Sequence, residues 1–188
     1  MHKRFPDRLN FLLYNPIRRR LNPPARIISR LGVRNQDTVI DFGCGPGFYT
    51  IPLARIAART VGIDISEKML QRAAQNCKKD NVKVKFIHSD GMSINLEDET
   101  VDLIILVHVF HEIEDKEKVL RQFARVLKPS GRLAIVERTR AEGFLSKKFG
   151  PPVMEYEEVV HAITQVDFTV IEVDQDGEDS VIISSRKR

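Results

Sequence analysis

The chain has no tryptophan, only two cysteines, and a single acidic residue, Asp7, in its first 36 positions. Cys44 lies in a glycine-rich loop and Cys77 in a polar helical stretch, with no partners at zinc-ligand spacing, so neither a structural disulfide nor a metal site is expected. No apolar run is long enough to span a membrane. The opening MHKRFPDRLNFLLYNPIRRR scatters charges among short apolar pieces, whereas a secretory leader carries an unbroken apolar core of about 7–15 residues. The expectation is a cytoplasmic protein with no membrane span. The missing acids leave Lys3, Arg4, Arg8, Arg18, Arg19, Arg20, Arg26, Arg30 and Arg34 almost uncompensated. That basic arm has two readings: a solvated helical face, or a site for an anionic substrate or nucleic acid.

What is present describes one ordinary domain. With 188 residues, 42% hydrophobic and 30% charged, the chain suits a globular protein with a real core rather than a disordered one. After the arm, two periodicities alternate. VIDF (39–42), RTVGID (59–64), VKVKFIHSD (82–90), VDLIILVHV (101–109) and RLAIVE (132–137) are short and β-branched and read as strands. Between them YTIPLARIAA (49–58), SEKMLQRAAQNCKKD (66–80) and DKEKVLRQFARVL (115–127) carry apolar residues at helical spacing, with Ser66 as an N-cap and KPSG (128–131) closing the third helix. This alternation predicts βαβ crossovers and a largely parallel sheet covered on both faces. The nearly continuous DLIILV fits a strand buried on both sides. Toward the C-terminus, EYEEVVHAITQV (155–166) reads as a helix, and runs 168–174 and 180–186 read as an antiparallel hairpin around an Asp- and Gly-rich turn.

The glycine loop VIDFGCGPG (39–47) follows the first strand, the end of a parallel sheet where ligands bind. Glycines at alternate positions let a ligand approach the backbone closely, since no Cβ stands in the way. A dinucleotide loop would read G-x-G-x-x-G and rest a pyrophosphate on a helix start. Here Asp41 stands two residues before Gly43, and Pro46 precedes Gly47. A carboxylate there repels pyrophosphate and attracts an ammonium or sulfonium, so the ligand should be cationic. Asp64 ends the second strand, where it can accept from both ribose hydroxyls. Asp90 ends the third, where it can accept from an exocyclic amine such as that of adenine. Amino acid, ribose and adenine in a row describe S-adenosylmethionine. The bland alternatives are a tight strand-to-helix turn for the glycines and turn or cap roles for the two aspartates. Cys44 reads as a small packing residue, and Phe48, Tyr49 and Phe110 as core or pocket wall.

With VIDFGCGPG, GID (62–64), SD (89–90), DLIILVHVFHEIED (102–115) and LKPSGRLAIVE (127–137) in order, the sequence resembles the class I S-adenosylmethionine-dependent methyltransferases. The resemblance implies a Rossmann-like, doubly wound α/β fold, with a mostly parallel seven-stranded sheet and one antiparallel strand from the C-terminal hairpin. It implies that Asp41, Gly43, Gly45, Gly47, Asp64, Ile65, Asp90, Gly91, Met92 and Val107 bind the donor, Met92 near the adenine. S-adenosylhomocysteine would be the product. NPIRRRLNPPARII further resembles a subset of small bacterial and archaeal methyltransferases. The expected organisation is a basic helical arm over residues 1–35, on the substrate side, and a methyltransferase domain over 36–188.

For the acceptor, the residues after the fourth strand are informative. Amino-methylating DNA enzymes carry [DNS]-P-P-[YFW] there, and this chain has VHVF; neither cysteine is placed to be a cytosine-C5 nucleophile. A small-molecule acceptor is therefore favoured, with substrate walls from the arm and from the loop over 138–153. Arg138, Arg140, Lys147 and Lys148 of that loop would receive an anionic group, or else form a solvated basic loop. Strand alternation puts His108 and Phe110 on one side, with His111 and Glu112 at the start of the next helix. His111 is the candidate general base, with Glu112 orienting or charge-balancing it; the other reading of His111 is a helix-start residue. Two further classes stay open: a nucleic-acid methyltransferase that uses the arm for phosphates, and a donor-binding module without catalysis.

Overall fold

The computed structural model describes residues 24–138, 153–176 and 179–186. The chain divides into two compact units, Met1–Asp90 and Gly91–Arg188.

The first unit holds helix α1 (Pro24–Arg30), strand β1 (Thr38–Phe42), helix α2 (Thr50–Ala54), strand β2 (Arg59–Asp64), helix α3 (Glu67–Lys79) and strand β3 (Lys85–His88). Its strands lie in the order β3-β2-β1. Both pairs are parallel, β1 with β2 from Thr38 opposite Arg59 to Phe42 opposite Ile63, and β2 with β3 from Val61 opposite Lys85 to Asp64 opposite His88. Parallel pairing places the three carboxyl ends at one edge, and with them the glycine loop, Asp64 and the residues after β3. Val39, Ile40, Ile63, Ile51, Leu53 and Ala73 form the core. Ile27, Ile28 and Leu31, from the end of the basic arm, are buried too.

Helix α3 begins where its sequence says it should: Ser66 accepts from the Met69 N–H at 3.4 Å, Glu67 lies in the first turn, and Lys78 and Lys79 in the last. Helix α2 is shorter than the expected 49–58. Pro52 has no N–H to donate, and Arg55 and Ile56 donate three residues back, to Pro52 and Leu53, tightening the turn that ends it. Strand β3 keeps only 85–88 of the expected 82–90; Lys83, Lys85 and His88 are exposed, leaving few apolar contacts to extend it.

The second unit holds β4 (Val101–Val107), a 3₁₀ turn (Phe110–Glu112), α4 (Lys116–Val126), β5 (Leu127–Arg138), α5 (Tyr156–Thr164), β6 (Phe168–Asp176) and β7 (Asp179–Arg186). Its strands lie in the order β4-β5-β7-β6. β4 and β5 are parallel, and β7 runs antiparallel to both β5 and β6. Leu103, Ile104, Ile105 and Leu106 are all buried, so DLIILV is covered on both faces. Asp115 caps α4 by accepting from the Lys118 N–H at 3.0 Å, and the helix buries Val119, Leu120 and Phe123, about 1.5–3 kcal/mol each. KPSG does more than close this helix: residues 127–131 enter β5 through an irregularity between Val101 opposite Leu127 and Leu103 opposite Arg132. A Cβ on Gly131 would come within 2.9 Å of the Lys128 carbonyl oxygen, so that crowded bend takes only glycine.

Candidate active site

The glycine loop is fastened on three sides. The Gly43 and Cys44 N–H groups both donate to the Ile63 carbonyl of β2, at 2.8 and 3.0 Å. Asn76, buried in α3, donates through Nδ2 to the Pro46 carbonyl at 2.9 Å. The Gly45 N–H donates to Asp64 Oδ2 at 2.8 Å, and the other Asp64 oxygen accepts from the Ser66 N–H, also at 2.8 Å. Asp64 thus ties the loop to the end of β2 and still keeps lone pairs for a ligand's hydroxyls.

The decisive position is Gly45. Its φ is +50°, and a Cβ built there would meet no atom within 4 Å. The loop has open space where any other residue would place a side chain. Gly47 differs: at φ +94° it faces Ala73 and Ile51 at ordinary contact distances, so its glycine serves the backbone turn. Cys44 is buried beside Gly62, and burial with the charges of Asp41 and Asp64 holds its thiol well above the ordinary range. It is a packing residue rather than a nucleophile.

Asp41 lies within β1, only 3% exposed, and accepts from the Thr50 hydroxyl at 2.5 Å. Burial raises its carboxyl to about 7, the hydrogen bond from Thr50 opposes that, and the charge of Asp64 adds to it. Asp64 is itself raised by burial, against the hydrogen bonds from Ser66 and Gly45. Two carboxylates held this way are relieved by a cation. Ile65 is 44% exposed just beyond β2, an apolar surface available to a flat ring. Asp90 stands two residues beyond β3 and is exposed.

In the second unit, Gly91 is buried with φ +89° and Met92 is half-buried. The segment that follows is pinned by Arg125 of α4, which donates to the carbonyls of Ile94 and Leu96 at 2.7 and 3.0 Å and to Asp98 at 2.5 Å. Val107 is the last residue of β4. The strand alternation expected to pair His108 with Phe110 stops there: His108 has φ +56°, and Phe110, His111 and Glu112 form the 3₁₀ turn.

His111 is buried, and its ring does not take the expected partner. Its Nδ1 donates to Glu137 Oε2 of β5 at 2.9 Å, and its backbone N–H to Glu137 Oε1 at 3.3 Å. Glu112 Oε1 lies 3.9 Å from Nε2, a charge contact rather than a hydrogen bond, so the carboxylate hydrogen-bonded to the ring is Glu137, and the contact of Glu112 fits charge balance, the second of its two expected roles. Burial alone would lower the imidazole's pKa. The hydrogen bond and charge of Glu137, with the charge of Glu112, outweigh burial and Lys116 and leave it raised. Arg138, expected in a basic substrate loop, is instead a buried residue of β5 whose carbonyl accepts from the Met154 N–H at 2.9 Å. Arg140, Lys147 and Lys148 lie outside the described residues, as does the arm through residue 23.

The sequence did not single out Thr50, Asn76 or Glu137. The signal was faint but readable: a threonine opening α2 beside the loop, an asparagine on the buried face of α3, and a carboxylate ending the otherwise apolar LAIVE.

A family model for the methyltransferase domain matches residues 40–135, from β1 into β5. The chain belongs to this family. It is 36% identical over 113 residues to 27-O-demethylrifamycin SV methyltransferase of Amycolatopsis mediterranei, covering 58% of this chain and 42% of that protein. It is 35% identical over 117 residues to demethylmenaquinone methyltransferase of Tropheryma whipplei, covering 62% and 48%. The chain thus spans under half the length of these curated relatives. A SAM-dependent methyltransferase structure from Aquifex aeolicus superposes with a TM-score of 0.85 at 27% identity, covering 96% of this chain and 98% of that one. The chain has the family's Rossmann-like α/β fold with a mostly parallel sheet, and S-adenosylmethionine is the donor that family and fold imply. The residues present fit it: open space over Gly45, two carboxylates suited to a cation, and exposed Ile65.

Proposed function

We propose that this methyltransferase transfers a methyl group from S-adenosylmethionine to a small-molecule acceptor in the cytoplasm. The observation that carries the reading is the open space above Gly45 with Asp41 and Asp64 beside the loop. In this reading Asp41 faces the donor's positive end, Asp64 accepts from the ribose hydroxyls, and Asp90 accepts from the adenine amine. Gly43, Gly45, Gly47 and Gly91 let the backbone come close, while Ile65, Met92 and Val107 supply apolar walls. The fold behind the site is the doubly wound sheet of seven strands, with the antiparallel member in the C-terminal hairpin. Residues 1–35 form the acceptor side and 36–188 the methyltransferase domain. The similarity to a 27-O-demethylrifamycin SV methyltransferase and a demethylmenaquinone methyltransferase supports a small molecule over a nucleic acid. The basic residues of the arm suit an anionic group on that molecule.

When bound, S-adenosylmethionine supplies an electrophilic methyl group on a sulfonium. The protein's part is to align the acceptor, exclude water and, where the acceptor carries a proton, remove it. Positioning alone supplies up to about 7–11 kcal/mol of such barriers. His111 is the base, and Glu112 balances the charge it gains.

The test is calorimetry with S-adenosylmethionine and S-adenosylhomocysteine, followed by methyl-labelled donor with a fractionated cell extract. Donor binding and label in small molecules are expected. Absence of donor binding, or label confined to RNA, overturns the reading. With an acceptor in hand, His111→Gln lowers turnover by about 100-fold or more and leaves donor affinity unchanged.

A further inference from the structure

Helix α3 carries three of its cations in one line. At about 100° per residue, Lys68, Arg72 and Lys79 fall within about 40° of each other around the helix and spread along about 16 Å of its length. All three are exposed. With Gln71, Gln75 and Asn76 they line a cleft of about 310 Å³ that holds no carboxylate among the described residues. Helix α4 handles surface charge differently, since Arg121 lies one turn beyond Glu117 and donates to it at 2.8 Å. On α3 the residues one turn either side of Arg72 are Lys68 and Asn76, and one turn before Lys79 is Gln75. Lys79 suits the C-terminal end of the helix. Lys68 stands in the first turn, where a cation opposes the helix dipole, and it repels Arg72 four residues on. An exposed stripe that costs helix stability is explained by a ligand that neutralises it.

The same cleft reaches the glycine loop through Asn76, which is 8% exposed and donates from Nδ2 to the Pro46 carbonyl at 2.9 Å. An amide nitrogen carries two hydrogens, so a second is available to a ligand in the cleft. We propose that this cleft binds a small molecule bearing two or more phosphate groups, and that its occupancy tightens donor binding through Asn76 and Pro46. Arg72 supplies a planar fork that matches phosphate oxygens, Lys68 and Lys79 supply point charges, and Gln71 and Gln75 add neutral donors. Lys68 and Arg72, one turn apart, take one phosphate, and Lys79, about 10 Å further along, takes a second. A phosphate that accepts from the second Asn76 hydrogen fixes the amide in the orientation that already holds Pro46, so the donor meets a loop that is ordered beforehand. It also adds negative charge on the side of a cationic ligand. Both effects have the same sign. The coupling rests on the donor reading of the glycine loop, whereas the cleft stands without it.

Calorimetry of the full chain with inorganic pyrophosphate, in a buffer free of phosphate and sulfate, tests the cleft with neither donor nor acceptor present. Micromolar binding is expected, weakened about tenfold or more in Arg72→Ala and in Lys79→Ala, both at exposed positions outside the donor site. Arg72→Lys, which keeps the charge and loses the fork, should fall between wild type and Arg72→Ala. Absence of binding, or binding that neither alanine variant weakens, overturns the proposal. ADP that only matches pyrophosphate shows recognition of the phosphates alone, and tighter binding of ADP shows a nucleotide; both support the class. Sulfate binding as tightly as pyrophosphate returns the stripe to a solvated basic face, and a short single-stranded RNA binding tighter than ADP makes it a nucleic-acid surface; both overturn it. For the coupling, S-adenosylmethionine should bind about fivefold or more tighter with pyrophosphate present, and pyrophosphate should gain the same factor from the donor. Unchanged donor affinity overturns the coupling. Asn76→Ala should keep pyrophosphate binding and abolish the gain. If that variant fails to fold, the side-chain amide resonances of Asn76 in the wild-type protein decide: they should shift when pyrophosphate is added, and unmoved resonances overturn the route through Asn76. Absence of S-adenosylmethionine binding in the wild-type protein would instead overturn the donor reading and leave the pyrophosphate result standing.

Discussion

Gly45 and Asp64 are 19 residues apart in sequence and joined by one hydrogen bond, the Gly45 N–H donating to Asp64 Oδ2 at 2.8 Å. The carboxylate proposed to read the donor's ribose also fixes the glycine loop proposed to receive the rest of the donor. Asp64→Ala should accordingly do two things. Donor affinity should fall about tenfold or more, as the diol loses a charged acceptor, and stability should fall by about 1–3 kcal/mol as the Gly45 and Ser66 N–H groups lose theirs. Calorimetry and urea unfolding on the same preparation measure both; a change in stability with donor affinity intact would remove Asp64 from the binding site.

Gly45 separates backbone strain from blocked space. Gly45→Ala puts a Cβ where no protein atom lies within 4 Å, so the fold loses only the cost of a left-handed alanine, roughly 1–2 kcal/mol. Gly45→Val should keep the fold by circular dichroism and abolish donor binding. The comparison is Gly47→Ala, which is the more strained of the two at φ +94° but makes ordinary contacts with Ala73 and Ile51. Equal losses of affinity in the two alanine variants would mean that strain, and not occupied space, controls binding.

Asp41 gives the protein a pH signature. Its folded-state value of about 7 lies above the unfolded 3.8, so between about pH 4 and 7 the folded form binds more protons. The contribution of this group to stability is therefore most favourable below about pH 4 and is lost as pH rises to about 7. Asp41→Asn should remove that slope, so that the variant gains on wild type between pH 5 and 8 in denaturant midpoints. Donor affinity should run the other way in wild type, rising as Asp41 ionises to meet a cation. A wild-type donor affinity flat from pH 5.5 to 8 would place the cation elsewhere.

Much of this was legible because one local pattern settles each feature. VIDF, RTVGID and DLIILV have the β-branched, apolar character of buried parallel strands, and Ser66 caps the helix it precedes. The glycine loop could be read because backbone at φ +50° and +94° favours glycine over residues that carry a Cβ. What stayed hidden depends on neighbours distant in sequence. His111 and Glu137 are 26 positions apart, whereas Glu112 is adjacent in sequence and was the natural guess; only the meeting of the 3₁₀ turn with β5 shows which carboxylate reaches Nδ1. The Asn76 bond to Pro46 spans 30 positions and is equally invisible to periodicity. His108 misled for a different reason, since alternation holds only while the chain remains extended.

The N-terminal arm supplies the last prediction, and the fold fixes where it can be cut. Ile27, Ile28 and Leu31 are buried, each side chain contributing about 1.5–3 kcal/mol, so the arm's end belongs to the core of the first unit. Deletion of residues 1–20 should leave the melting temperature and donor affinity close to wild type. Deletion of residues 1–31 should destabilise the protein severely, because it uncovers what those three side chains bury. If the arm forms the acceptor side, the shorter deletion should abolish transfer of labelled methyl into the small-molecule fraction while S-adenosylhomocysteine still binds. Loss of donor affinity in the 1–20 deletion would assign the arm to the donor instead, and full methylation by that variant would return its basic residues to a solvated surface.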